Sequence, residues 1–179
     1  MPFSLLPAQA VANLANIGQR CLGVVPVAHS TWEFNTSSLS DGVVLPLVAE
    51  VVQWSAAGSY IYYFHCTGSP NLTLALDAFE AAKRRDRGQR AYAKVNTTSP
   101  CLYVGGSNKI ASRLKQHLGY SAAKGTYSMQ LLHWATSLSL DLAFTCARYD
   151  PSPTQDVLQA LEDTLWDNNN PMLGRRGAR

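Results

Sequence analysis

The chain lacks several features that would assign it to a class at once. It has no apolar run of about eighteen residues, so no membrane-crossing helix is expected. Only 15% of its residues are charged against 46% hydrophobic, which excludes a disordered, charge-rich chain and predicts a real core within 179 residues. Its four cysteines, Cys21, Cys66, Cys101 and Cys146, lie far apart. No pair has the close spacing of a zinc knuckle or of a small disulfide scaffold. Three of them sit in apolar, strand-like runs, so buried free thiols in a reducing compartment are expected. The opening Met1-Pro2-Phe3-Ser4 lacks the basic segment and long apolar stretch of a secretory leader, and a cytoplasmic location is expected. Internal repeats, low-complexity segments and Ser/His/Asp or Cys/His catalytic motifs are missing too. The net charge of +3 is a weak pull towards polyanions.

The most informative stretch present is Cys101 to Gly119, CLYVGGSNKIASRLKQHLG. Cys101 to Val104 suits a buried strand. Gly105 and Gly106 follow, where a Cβ would obstruct a tight turn or a close ligand. Ser107 or Asn108 is placed to cap a helix whose apolar stripe is Ile110, Leu114 and Leu118, with Gly119 as its stop. Arg113 and His117, four apart, project from the same side of that helix. The unit sets a tyrosine at a strand end, bare backbone beside it, and a cation and an imidazole one helix away. That combination suits a phosphate.

The remaining elements are read in order. Residues 7–20 form a helix with Val11, Leu14, Ala15 and Ile17 on one side. Gly23–Val27 and Gly42–Val48 read as proline-interrupted extended segments, with a polar loop from Ser30 to Asp41 between them. Gly58–Cys66 is the strongest strand signal, with Tyr60, Tyr62 and Phe64 on one face and Ile61 and Tyr63 on the other. A helix from Leu72 to Arg87 follows and ends in a basic run containing Lys83, Arg84, Arg85, Arg87 and Arg90, then Lys94. That run is either a solvated helix end favoured by its dipole or a phosphate-contacting arm. A small-residue loop, Tyr120 to Gly125, carries Lys124. Thr126–Thr136 is expected as a helix and Leu138–Cys146 as a strand. A last helix starts with a Ser152 cap and Pro153, carries Val157, Leu158, Leu161 and Leu165 inward with Glu162 beside them, and ends at Asn168–Pro171. Arg175, Arg176 and Arg179 make a basic tail. This order predicts an α+β chain: a small sandwich with a short mixed or antiparallel sheet flanked by helices.

Tyr103-Val104-Gly105, Arg113 ten residues after the tyrosine and His117 four further on are similar to the second half of a GIY-YIG nuclease domain. Gly58-Ser59-Tyr60 resembles the first motif, with Tyr60 as the preferred motif tyrosine and Tyr62 as the alternative register. The resemblance implies that residues 53–174 are the nuclease-like domain, with an insertion at about 70–98 between the motif strands. Residues 1–52 are then an extension packed on it, and 175–179 a tail. It implies metal-dependent cleavage of DNA, with Mg²⁺ or Mn²⁺ held by Glu162. Arg113 would neutralise the scissile phosphate through its planar fork. Tyr60 and Tyr103 would line the attack side, with His117 or Lys109 assisting. Gly105 would let DNA approach, and Arg84, Arg85, Arg87 and Arg90 would contact its phosphates. Two alternatives stay open: a catalytically weak nucleic-acid-binding module, or a toxin-like or protein-interaction domain. In the latter, residues 1–52 are the candidate surface for a protein partner or a second copy of the chain.

Overall fold

The computed structural model describes residues 6–121 and 125–177, so Lys124, Arg179 and the first five residues lie outside it. The strand signal at the paired tyrosines becomes the middle of the molecule. Strand β2 (Ser59–Cys66) pairs with β3 (Cys101–Ser107) on one side and β4 (Asp141–Tyr149) on the other. Strand β1 (Ala28–Asn35) pairs with the far edge of β4, which gives the order β1-β4-β2-β3, antiparallel throughout. This is an α+β fold on an open four-stranded antiparallel sheet.

Register decides what each face carries. Tyr62 lies opposite Gly105 and Cys146, Phe64 opposite Tyr103 and Phe144, and Trp32 opposite Phe144. Directly paired residues share a face, so one side of the sheet is an aromatic layer. Phe64 and Phe144 meet at 4.8 Å between ring centres, and Trp32 and Phe144 at 5.6 Å. Helix α4 (Ile110–Leu118) lays Ile110, Leu114 and Leu118 into this layer, all wholly buried. Burying each such side chain stabilises the fold by about 1.5–3 kcal/mol before chain entropy is counted. Helix α5 (Gln155–Asn169) runs along β3 and β2, with Val157 and Leu158 buried. It covers the face that carries Ile61 and Val104.

The N-terminal part differs from its sequence reading in three places. The polar stretch from Ser30 contains β1, whose Trp32 and Phe34 turn inward while Thr31 and Glu33 turn out. The segment around Gly42–Val48 is not extended through Pro46. The proline opens helix α2 (Pro46–Trp54), where its fixed φ and missing N–H do no harm. Leu47, Val48 and Val51 then enter the main core. The boundary drawn at residue 53 therefore falls inside a helix, and residues 28–54 are built into the sheet and core. Helix α1 (Leu6–Leu22) stands apart. Its stripe does not face inward, for Val11 and Leu14 are 66% and 68% exposed. Arg20 ties it to Thr154 and Asp156 at the start of α5.

Three further expectations fail for local reasons. The region 126–136 does not form an α-helix, because its beginning is drawn into extended pairing with the insertion. Ala93 N donates to Ser128 O and Ser128 N to Ala91 O, leaving only short 3₁₀ turns at Leu131–His133 and Thr136–Leu138. Ser152 does not cap α5, whose N-cap is Thr154 without a side-chain bond. Ser107 does not cap α4 either; its hydroxyl accepts from Lys109 N, ahead of the helix. The insertion is helical as expected: α3 (Leu72–Arg85), capped by Asn71, buries Ala75, Phe79 and Ala82. After α5 the chain returns beside β3. Met172 and Leu173 N–H groups donate to Cys101 and Leu102 carbonyls, and Gly174 N donates to Lys94 O. All four cysteines are free, and Cys66, Cys101 and Cys146 are buried. No described helix is long and apolar enough to cross a membrane.

Candidate active site

The wall of the site is built where α4 crosses the aromatic face of β2 and β3. Arg113 reaches both tyrosines there. Its Nε donates to Tyr62 Oη at 3.0 Å and its Nη2 to Tyr103 Oη at 2.9 Å. The remaining donors on the guanidinium also work within the protein: Nη1 donates to Gln116 Oε1 and Nη2 to Tyr127 O, both at 2.9 Å. Four of its five N–H groups are thus used. The planar fork is closed, so Arg113 offers a phosphate its charge and at most one N–H. That differs from the fork-on-phosphate role expected from the sequence. Burial works against the charge, but the two phenols and their hydrogen bonds outweigh it and hold the guanidinium's pKa above its ordinary value.

His117 completes the cluster from one turn further along α4. It is wholly buried, with Nε2 3.0 Å from Tyr62 Oη and its ring 4.3 Å from that of Tyr103. Met129 N donates to Nδ1 at 3.4 Å. Burial, and then the Arg113 charge, push its pKa well below the ordinary histidine value, so the ring is neutral. A neutral ring that accepts at Nδ1 carries its proton on Nε2. Nε2–H therefore donates to Tyr62 Oη, which receives two donors, Arg113 and His117. The hydroxyl's own proton is left to point elsewhere. Burial raises the pKa of Tyr62 and of Tyr103, against the opposing pull of Arg113, so both rest as phenols.

Gly105 sits in the strand, not in a turn, and has a steric reason to be glycine. A Cβ there would lie 2.8 Å from Tyr62 Oη and 2.8 Å from Tyr103 Cε1. The two rings are nearly parallel, 11° apart, with centres 6.3 Å apart. Tyr60, the preferred first-motif tyrosine, is not in the cluster. Its hydroxyl turns to the backbone of Ala56, donating to O at 2.5 Å and accepting from N at 2.9 Å, and its ring packs on Trp54. Two residues along β2 is too far to reach α4. Tyr62 is the β2 tyrosine bonded into the cluster.

A cavity of about 520 Å³ opens onto this wall. Tyr62, Tyr103, Gly105, Gly106 and Arg113 form one side, and Glu162 faces in from α5. Glu162 is 5% exposed and is the only carboxylate among the described lining residues. Lys83, Lys94, Tyr127 and Arg175 stand around the mouth. Lys83 Nζ donates to Ala93 O at 2.8 Å, and burial lowers its pKa. Among the described residues no three histidine, cysteine or carboxylate side chains gather as a metal-ligand set. This donor set fits one hard divalent cation held by a single carboxylate within its own water shell, and does not fit a zinc-type site.

The other candidates divide. Lys109 is exposed at the start of α4 and does not line the cavity. Arg84 pairs with Glu80 at 3.2 Å, while Arg85 bonds Asp86 and the carbonyl of His133, and neither reaches the cavity. Arg87 and Arg90 line a smaller groove beside it. Tyr92 and Tyr127 were not singled out from the sequence. They come from irregular segments paired only by an isolated bridge, and no periodicity marks them.

Fold and cavity together define an α+β chain with a phenol–guanidinium–imidazole cluster in the wall of a cation-rimmed cavity. No family model, curated protein or solved structure matches the chain.

Proposed function

We propose that the cavity hydrolyses phosphodiester bonds of DNA, in the manner of the GIY-YIG nucleases that the Tyr103, Gly105, Arg113 and His117 spacing resembles. The observation that carries this reading is Tyr62 Oη. It accepts from Arg113 Nε–H and His117 Nε2–H at 3.0 Å each, beside a cavity whose lining carboxylate is Glu162. Those two donors are what a phenolate needs. Burial keeps the proton on in the resting state, while the donors hold the oxygen fixed if the proton leaves. The exchangeable proton then faces the cavity, where an attacking water or a departing alkoxide would sit. Tyr62 would pass its proton to that side and take one back from it.

Arg113 and the rim cations would lower the cost of bringing a phosphate against this wall. Tyr103, held by Arg113 Nη2, would face the same phosphate. Mg²⁺ or Mn²⁺, when bound, would supply charge stabilisation at a phosphoryl oxygen, and Glu162 is the residue that would hold it. His117 would not titrate. Its part is to hold Tyr62 by hydrogen bonding. A binding-only module of the same fold is the second reading, favoured by the closed fork of Arg113.

The test is digestion of supercoiled plasmid and single-stranded circular DNA with Mg²⁺ or Mn²⁺, for wild type, Glu162→Ala and Arg113→Ala. Cleavage by wild type alone, stopped by EDTA, is expected. DNA retarded on a gel but never cut would replace this reading with the binding module.

A further inference from the structure

Two grooves adjoin the cavity, and each shares rim residues with it. One, of about 600 Å³, shares Lys94 and Arg175 with the cavity and continues over Trp166 and Arg176. The other, of about 280 Å³, shares Lys83 and Tyr127 with it and continues to Arg87 and Arg90. The three make one track with a cation in every section. Some of those cations face carboxylates: Arg90 is 3.6 Å from Asp86, and Arg176 bonds Asp167 at 2.8 Å.

Charge alone would suit any polyanion, but the rings on the track narrow the choice. Tyr127 is 64% exposed where the cavity meets the smaller groove, with the Arg175 guanidinium 6.0 Å from its ring centre. Trp166 is half-buried in the wall of the larger groove. An aromatic face beside phosphate-binding cations is a platform for a nucleobase. In a duplex the bases are stacked on each other and that face is of no use; an unpaired strand offers a π-surface at every nucleotide.

We propose that the track binds a single unpaired polynucleotide strand, with phosphates along Lys83, Lys94 and Arg175 and bases laid on Tyr127 and Trp166. This rests on the reading of the cavity as a phosphodiester site and adds the form of the substrate.

The experiment is fluorescence anisotropy with a short fluorescein-labelled DNA, presented as a single strand and as a blunt duplex, in EDTA so that nothing is cut. The single strand is expected to bind about tenfold more tightly. Tyr127→Ala should cost about tenfold on the single strand, the scale of one base–aromatic stack, and leave the duplex unchanged. Lys94→Ala combined with Arg175→Ala should flatten the slope of log affinity against log salt by about 1.4, near 0.7 for each phosphate no longer neutralised. Lys115→Ala, an exposed cation of α4 off the track, should keep the slope. Tyr127, Lys94 and Arg175 are exposed, so the variants should fold, which far-UV circular dichroism checks. Equal affinity for duplex and single strand, or an unchanged salt slope in the double variant, overturns the proposal. Plasmid cleavage without single-strand preference would sink the track and leave the hydrolase reading. Single-strand preference in a chain that cuts nothing would do the reverse.

Discussion

The cluster around Arg113 and the rim above it use the same kinds of side chain under opposite conditions. In the cluster a half-buried guanidinium meets two buried phenols and a buried imidazole, and their polar atoms are tied to one another at 2.9–3.0 Å. At the rim Tyr127, Lys94 and Arg175 stand exposed beside a half-buried Lys83, with Tyr127 and Arg175 loosely stacked. Burial makes every bond in the cluster strong and every misplacement costly. Exposure makes Tyr127, Lys94 and Arg175 dispensable for folding and adaptable for binding. Chemistry on the first and substrate-holding on the second is the division this contrast supports.

The sharpest way to break the contrast is at its two glycines. Gly105→Ala puts a methyl 2.8 Å from Tyr62 Oη, and neither ring can withdraw because Arg113 holds both hydroxyls. Overpacking of this kind costs about 1–3 kcal/mol. The displaced hydroxyl should cost cleavage about a hundredfold or more. Gly125, also lining the cavity, has nothing within 4 Å of its added Cβ. Gly125→Ala should stay within about 0.5 kcal/mol of wild type in urea unfolding. Equal destabilisation by the two substitutions would end the distinction between cluster and rim. Tyr62→Phe should likewise lose cleavage about a hundredfold or more, as removal of a proton-transfer group does.

Acid should loosen the cluster before it touches the rim. His117 is held neutral by burial and by Arg113, while an unfolded histidine titrates near 6.5. Below that pH the unfolded chain takes up a proton the folded chain refuses, so stability falls as pH falls. For His117 the loss approaches about 1.4 kcal/mol per pH unit between about pH 6 and 5. His133, also lowered by burial and by Arg90 but more exposed, adds less. The depressed carboxylates, Asp86 and Asp156 among them, add their loss only below about pH 5. Urea unfolding at stepped pH should show this slope, and His117→Gln should remove most of it. A slope indifferent to His117 would mean that the ring takes its proton without leaving the core.

How far the site was legible depends on whether its parts lie on one element. Arg113 and His117 did, four residues apart on a helix whose apolar stripe and glycine stop are unambiguous. The strands at Tyr62 and Tyr103 were legible from their aromatic and apolar runs. Helix α2 was not, because Val43 to Val48 reads as a strand until it is known that the proline opens the helix. Strand β1 was hidden by its polar outward face, since only Trp32 and Phe34 alternate inward. The rim was legible only in pieces, with Lys83 in the basic run, Lys94 after it, Arg175 in the tail and Tyr127 unmarked. Lys83, Lys94, Tyr127 and Arg175 come from four separate stretches and meet only because Gly174 and Ser128 bond to the insertion.

Tyr60 and Tyr62 show the same limit at a single residue. Alternation puts both on the inner face of β2, and nothing local separates them. What separates them is where α4 crosses: Tyr62 lies opposite Gly105, beneath Arg113, while Tyr60 lies opposite Ser107 and turns to Ala56. Tyr60→Phe therefore makes a much smaller change than Tyr62→Phe. It removes one hydroxyl that donates to Ala56 O and accepts from Ala56 N, so the loss should be about 1 kcal/mol of stability. Cleavage by the folded protein should match wild type, because no bond to Arg113, His117 or Glu162 passes through that hydroxyl. A fall in cleavage as large as that of Tyr62→Phe, at unchanged stability, would show that the first tyrosine acts on the substrate and that the cluster is read from the wrong residue of the strand.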